Sequence, residues 1–227
     1  MRFPLPLHWT LRTALASAPS LFFPLYRRFG EHPALLASCD SEIVIDGFPR
    51  SGNSFALFAL EAAAGRRLAA AHHLHAPAQL MRAARLGKPG CLVIREPAEA
   101  IPAALRKIPQ LRAFDLLLAY RLHHAALWRW RGAFVTAPFE LMIEDFGAVI
   151  ARLNRRFGSE IPPLSRERQA ALTPGYLAEE HRHSAALTAF GRYGVRDPAR
   201  DPERELAAHP RLLEACQAIY RRYRALA

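Results

Sequence analysis

The sequence predicts an α/β domain of three layers, a central parallel β-sheet flanked by helices. Three observations lead there. Short apolar runs at residues 43–46, 91–95 and 133–137 alternate with helix-period segments at 52–64, 77–86, 110–130 and 146–157. Strands joined by helical crossovers pair in parallel, with helices on both faces. Cys91-Leu92-Val93-Ile94 is apolar without interruption, as a strand covered on both faces should be. The 227 residues are 51% apolar, enough for one full core, and neither an internal repeat nor a dividing linker interrupts them.

Residues 1–30 are read as an apolar and basic extension ahead of a domain spanning 31–227. Pro4, Pro6, Pro19 and Pro24 stand among aromatic and aliphatic residues, punctuated by Arg2, Arg12, Arg27 and Arg28. The longest uncharged run, Thr13 to Tyr26, is shorter than the ~20 residues of a spanning helix. A signal peptide fits poorly, because Arg12 interrupts the apolar stretch. The segment either rests on a membrane with Arg27 and Arg28 at headgroups or packs on the domain, and the second reading is preferred.

Ile43-Val44-Ile45 is the first strand and 52–64 the first helix, closed by Gly65. A short second strand is expected within 67–75, ending in a histidine cluster. Helix 77–86 closes at Gly87, and Pro97 opens a helix at a position that suits proline. The long pattern 110–130 ends before Gly132, and strand 133–137 follows. Val149, Ile150, Leu153 and Phe157 form the apolar stripe of helix 146–157. Beyond Pro162-Pro163 the chain turns polar and less regular, until a closing helix over about 210–227.

The formal charge is +11, carried almost wholly by arginine, with Lys88 and Lys107 the two lysines. An anionic partner fits this balance, but abundant Arg and Ala also follow from a GC-rich genome, and no nucleic-acid-binding motif is present. Cys39, Cys91 and Cys216 are few, odd in number and far apart. Neither a disulfide framework nor a metal pair is expected, and the chain reads as cytoplasmic, with membrane association a possibility for its first 30 residues.

The stretch 42–60 organises the rest. A β-branched run meets a small-residue loop that enters a helix, the layout of a phosphate cradle. Gly47-x-x-x-x-Gly52-x-Ser54 has the glycine and hydroxyl spacing of a P-loop, but Asn53 replaces its lysine and Arg50 supplies a cation within the loop. The missing lysine argues against an ordinary ATPase or kinase.

Pro49-Arg50-Ser51-Gly52-Asn53-Ser54-Phe55 resembles the 5′-phosphosulfate loop of the sulfotransferases that use 3′-phosphoadenosine 5′-phosphosulfate (PAPS). Arg95-Glu96-Pro97-Ala98-Glu99 resembles that family's 3′-phosphate motif, with Ala103 where a serine is usual. The resemblance covers roughly 42–157. It implies the P-loop-like sulfotransferase fold, PAPS as co-substrate, 3′-phosphoadenosine 5′-phosphate (PAP) as product, and no metal. It assigns Arg50, Ser51, Gly52, Asn53, Ser54, Phe55, Arg95 and Phe139 to the nucleotide, with Phe55 or Phe139 near the adenine. Arg182 and Arg192 are weak candidates for a further 3′-phosphate contact. His73-Leu74-His75-Ala76-Pro77 is similar to the family's catalytic segment, with His73 in the catalytic place and His75 as runner-up.

A neutral imidazole has the pKa to take a proton from a hydroxyl near pH 7. Metal binding by the cluster is the weaker reading, since adjacent His72 and His73 cannot share one face and no acid or cysteine is close in sequence. His123 and His124 read as surface or packing residues. The chemistry implied is in-line sulfuryl transfer to a hydroxyl or amine, with Arg50 stabilising the leaving oxygen. A carbohydrate, a lipid-linked molecule or a small alcohol are all compatible acceptors. The alternatives are a P-loop phosphotransferase and a degenerate protein that binds nucleotide or a membrane surface without catalysis.

Overall fold

The computed structural model describes residues 5–108, 110–189 and 199–227, and their side chains over 9–108, 110–178 and 199–227. Helices α1 (Leu5–Leu15) and α2 (Pro19–Phe29) precede strand β1 (Ile43–Gly47). Then come α3 (Asn53–Ala64), β2 (Ala70–His72), α4 (Pro77–Arg85), β3 (Gly90–Ile94), α5 (Pro97–Lys107) and α6 (Ala113–Leu127). Strand β4 (Val135–Pro138) is followed by α7 (Phe139–Glu144), α8 (Phe146–Phe157), α9 (Arg166–Ala189), α10 (Pro202–Ala207) and α11 (Pro210–Arg224).

The four strands form one sheet in the order β2-β1-β3-β4, and every pair is parallel. Ile45 sits opposite His72 on one side and Cys91 on the other, and Cys91 opposite Val135. Side chains alternate across the sheet. Ile43, Ile45, Cys91 and Val93 face one layer, where Leu60 of α3 and Val149 of α8 cover them. Val44, Leu92 and Ile94 face the other, covered by Phe22 and Phe23 of α2 and Leu80 of α4. The predicted three-layer α/β architecture with a central parallel sheet is therefore present. A further cluster joins Phe48, just past β1, to α5 and α6.

Residues 5–29 form two helices despite their prolines. Pro19 stands in the first turn of α2, where no amide hydrogen is needed, and Pro24 lies on its exposed side. Arg12 donates to Leu74 O and Ala78 N donates to Ala16 O (2.8 Å), so the segment is tied to the sheet's edge by hydrogen bonds as well as by buried aromatics.

The stretch after Pro162-Pro163, expected to be irregular, contains the 24-residue α9. Pro174-Gly175 in its middle hides the helical pattern in the sequence. One buried side chain holds it to the domain: Gln169 Oε1 accepts from Phe146 N (2.8 Å), and Nε2 donates to Met142 O (2.9 Å) and Ile143 O (2.8 Å). The expected helix 110–130 begins at Ala113 and passes into a 3₁₀ turn at Trp128–Trp130, and the expected strand in 67–75 shortens to three residues.

Candidate functional site

After β1 the chain turns to α3 on one face, and after β3 it turns to α5 and α6 on the other. The strand order puts this divergence between β1 and β3. Beyond the carboxyl ends of the strands at such a switch point, open α/β sheets bind ligands. A cavity of about 620 Å³ opens there. Gly47 ends the strand that leads to it: a Cβ on that residue would lie 2.1 Å from Val93 O, so β1 and β3 approach this closely only with glycine.

The loop Pro49–Phe55 supplies one wall. Arg50 has φ +63° and Gly52 φ +100°, and a Cβ on Gly52 would meet Phe139 at 3.0 Å. The amides of Asn53, Ser54 and Phe55 precede the first intrahelical bond of α3, Ala56 N to Gly52 O (3.0 Å), and so have no acceptor within the helix. Such amides and the helix dipole favour an anion. Arg50, Gly52, Asn53, Ser54 and Phe55 all line the cavity. Ser51 does not: its hydroxyl is buried without a partner. Asn53 donates to Phe48 O (3.3 Å), which steadies the loop. Phe55 packs edge-on against Phe146 and Tyr176 and is 6% exposed, so its ring belongs mainly to the core and offers little face for an adenine.

His73 and His75 form a second wall, and both have left-handed backbones, with φ +59° and +49°. With Arg50 they are the positive-φ non-glycine residues among the described ones, all three at this cavity. Backbone strain concentrated in this way marks a functional site. His73 Nε2 lies 2.7 Å from Ser54 Oγ, and its Nδ1 is hydrogen-bonded to His72 Nδ1. If the serine donates, His73 must donate onward to His72; if His73 donates to the serine, His72 supplies the other proton.

His75 has a fixed tautomer. Its Nδ1 donates to Gly47 O (2.8 Å), which leaves the lone pair on Nε2. Burial pushes its pKa down to about 4, with the cations of Arg12 and Arg50 adding to the effect, so the ring is neutral at physiological pH. Beneath it, Asp46 accepts from Gly47 N (2.7 Å) and Ala76 N (3.1 Å), and burial raises that carboxyl to about 7. His123 and His124 are not at the surface: each is 1% exposed, packed near Phe48, and burial also lowers both.

Arg95, at the end of β3, is held three ways. Its Nη1 donates to Arg50 O (3.2 Å), its Nε donates to Glu99 (3.0 Å), and its guanidinium lies 4.1 Å from the centre of the Phe139 ring. Thus the second motif clamps the first. Arg95 and Phe139 both line the cavity, and one face of Phe139 is taken by the guanidinium. Glu96 accepts from Gln217 of α11 (2.9 Å), while Glu99 is engaged by Arg95. The side chains of Arg182 and Arg192 lie outside the described residues.

No protein-family model, no curated protein and no solved structure matches this chain. The geometry alone describes the site.

Three helices add cavity walls that the sequence did not disclose. Ala104 and Lys107 of α5 lie three residues apart, with Ile108 just past its end; Ile143 of α7 lies one turn beyond Phe139, which the resemblance had already singled out; and Thr173 of α9 lies three and four residues before Tyr176 and Leu177. Trp9 of α1 joins them. Lys107 stands one turn beyond Ala103 and brings a cation to the cavity. Among the described residues no group of three or more His, Cys, Asp or Glu is arranged to hold a metal ion.

The buried titratable groups predict a pH response. Below about pH 6.5 the unfolded chain takes up protons on His75, His123 and His124 that the folded chain resists. Asp46 acts oppositely, retaining up to about pH 7 a proton that the unfolded chain releases near its ordinary 3.8. Three histidines outweigh one aspartate, so the net proton uptake on unfolding grows from near zero at pH 7 toward about two at pH 5. The melting temperature is therefore expected to fall between about pH 7 and pH 5. A flat or rising profile in calorimetry would show that the histidines are not held neutral.

Proposed function

We propose that the chain is a PAPS-dependent sulfotransferase with the P-loop-like fold of that family, acting in the cytoplasm on the hydroxyl of an acceptor with an apolar body. The observation that carries this reading is the convergence at one switch point of the Arg50–Phe55 loop, the His73–His75 turn and Arg95 with Phe139. These follow β1, β2, β3 and β4 respectively, and a nucleotide spanning β1 to β3 would meet them together.

The residues fit the donor. The amides at the start of α3 and the Arg50 side chain suit a 5′-phosphosulfate. Arg95 and Lys107 supply cations for a 3′-phosphate, and Lys107 offsets the loss of the serine at Ala103. When bound, the donor supplies a sulfuryl group and a good leaving group. The loop positions charge, Arg50 holds the negative oxygen that develops on departure, and the His75 Nε2 lone pair accepts the acceptor's proton. An anion in the loop raises the His75 pKa from its low value toward neutrality, because it favours the imidazolium. His73, bonded at both ring nitrogens, orients Ser54.

Most of the remaining lining, Trp9, Ile108, Ile143, Tyr176 and Leu177, is apolar or aromatic, with the hydroxyl of Thr173 among it. It favours an acceptor with a hydrophobic body that carries few polar groups.

Thermal melts with PAP, ADP and ATP, with and without magnesium, test the reading. At ~100 times its dissociation constant a ligand adds about 2.7 kcal/mol, which for this size raises Tm by about 5–11 °C. The expected result is a shift with PAP, independent of magnesium and lost in Arg95→Ala. An equal shift with ADP, or one with ATP that needs magnesium, favours a phosphotransferase. No shift with any nucleotide rejects both.

A further inference from the structure

Helix α2 is apolar on both sides. Phe22 and Phe23 are buried in the core, yet Leu21, Leu25 and Phe29 are exposed to 57%, 43% and 74%. Their spacing of four places them on one outward stripe. Apolar residues all around a surface helix, and a contiguous exposed apolar stripe, are signs of a second contact.

The helices that frame the stripe carry charges of one sign. Residues 5–30 contain no Asp or Glu, and Arg27 and Arg28 are both exposed. Helix α4 packs on α2 and adds Arg82 and Arg85, with Lys88 just beyond; residues 76–90 also lack an acid. The first acid after α2 is Glu31. The basic edge continues into aromatic side chains: the Arg85 guanidinium lies 5.5 Å from the Trp130 ring, and Arg131 and Arg222 lie 4.7 and 3.9 Å from Trp128. Arginine beside half-buried tryptophan suits the boundary between water and lipid.

We propose that this face docks on an anionic lipid bilayer, with Leu21, Leu25 and Phe29 in the headgroup–acyl boundary and Arg27, Arg28, Arg82 and Arg85 at phosphates. Charge complementarity selects this occupant. A second copy docked through the same face would set arginines against arginines. Nucleic acid would leave the Leu–Phe stripe exposed. Among the described residues no helix is long and apolar enough to cross a membrane, so the contact made by α2 is interfacial. The inference does not depend on the reaction assigned to the cavity.

Co-sedimentation of the full chain with phosphatidylcholine vesicles, and with vesicles containing one-third phosphatidylglycerol, tests it. Binding is expected only with the anionic vesicles and is expected to weaken as salt rises. The double variant Arg27→Ala/Arg28→Ala is expected to lower partitioning about thirtyfold. Leu25→Ser/Phe29→Ser is expected to lower it at least about tenfold. All four positions are exposed, so both variants should melt as the parent does, which separates lost docking from lost folding. Absence of binding to anionic vesicles at low salt overturns the proposal, as does equal binding to both vesicles that neither variant changes. A dimer seen by light scattering and abolished by Leu25→Ser/Phe29→Ser also overturns it, in favour of a second copy.

Discussion

Replacing His75 by alanine is expected to lower the proposed sulfuryl transfer about 10²–10⁴-fold, the usual contribution of a general base. PAP should still stabilise the variant, because the amides of the loop and Arg95 remain. The tautomer of His75 is fixed by Gly47 O, and its other nitrogen is left for an acceptor proton. His73→Ala should cost less, since the His73 ring is engaged by Ser54 and His72. Single-turnover rates on the two variants, with thermal melts in parallel, decide the order. If His73→Ala abolishes transfer and His75→Ala leaves it intact, the two roles are exchanged.

Gly47→Ala is expected to be the most damaging small substitution in the fold. Its Cβ would sit 2.1 Å from a backbone oxygen of β3, and backbone cannot rotate aside as a side chain can. Relief requires β1 and β3 to separate at the carboxyl end of their register, where Asp46 pairs with Leu92 and Gly47 with Val93. A cost of about 3 kcal/mol or more is expected, lowering Tm by roughly 6–12 °C. Gly132→Ala is the control, because a Cβ there meets nothing within 4 Å. Equal melting temperatures for the two variants would show that the strands tolerate the wider spacing.

Much of the central sheet was legible because its signals are local. Ile43-Val44-Ile45 and Cys91-Leu92-Val93-Ile94 are apolar runs, and the loop between Gly47 and Ser54 carries its glycines at fixed offsets. Arg95 could be singled out from its place after a buried strand. What escaped depends on contacts distant in sequence. Helix α9 carries Pro174-Gly175 and is held by the buried Gln169 amide and by Tyr176 against Phe55, none of which is a local pattern. Lys107 and Trp9 gain meaning only when α5 and α1 are brought beside the loop. The left-handed backbones of Arg50, His73 and His75 had no sequence signal, since only glycine or asparagine announces that conformation. The sequence left His123 and His124 open between surface and packing, because polar residues carry no inward signature; the structure gives packing, with Tyr120 O and the Phe48 ring around His124.

The docking of α1 on α6 sets a schedule for synthesis. Ala16 and Thr13 are enclosed only when residues about a hundred positions later have been made, because α6 spans Ala113–Leu127. At a ribosomal rate of about 5–20 residues per second, α1 waits on the order of 5–20 s before α6 emerges. Phe22 and Phe23 of α2 are covered sooner, since their partner α4 spans Pro77–Arg85. Helix α1 is thus enclosed by a partner made long after it, so its inner face stays open for most of the synthesis of the sheet it joins.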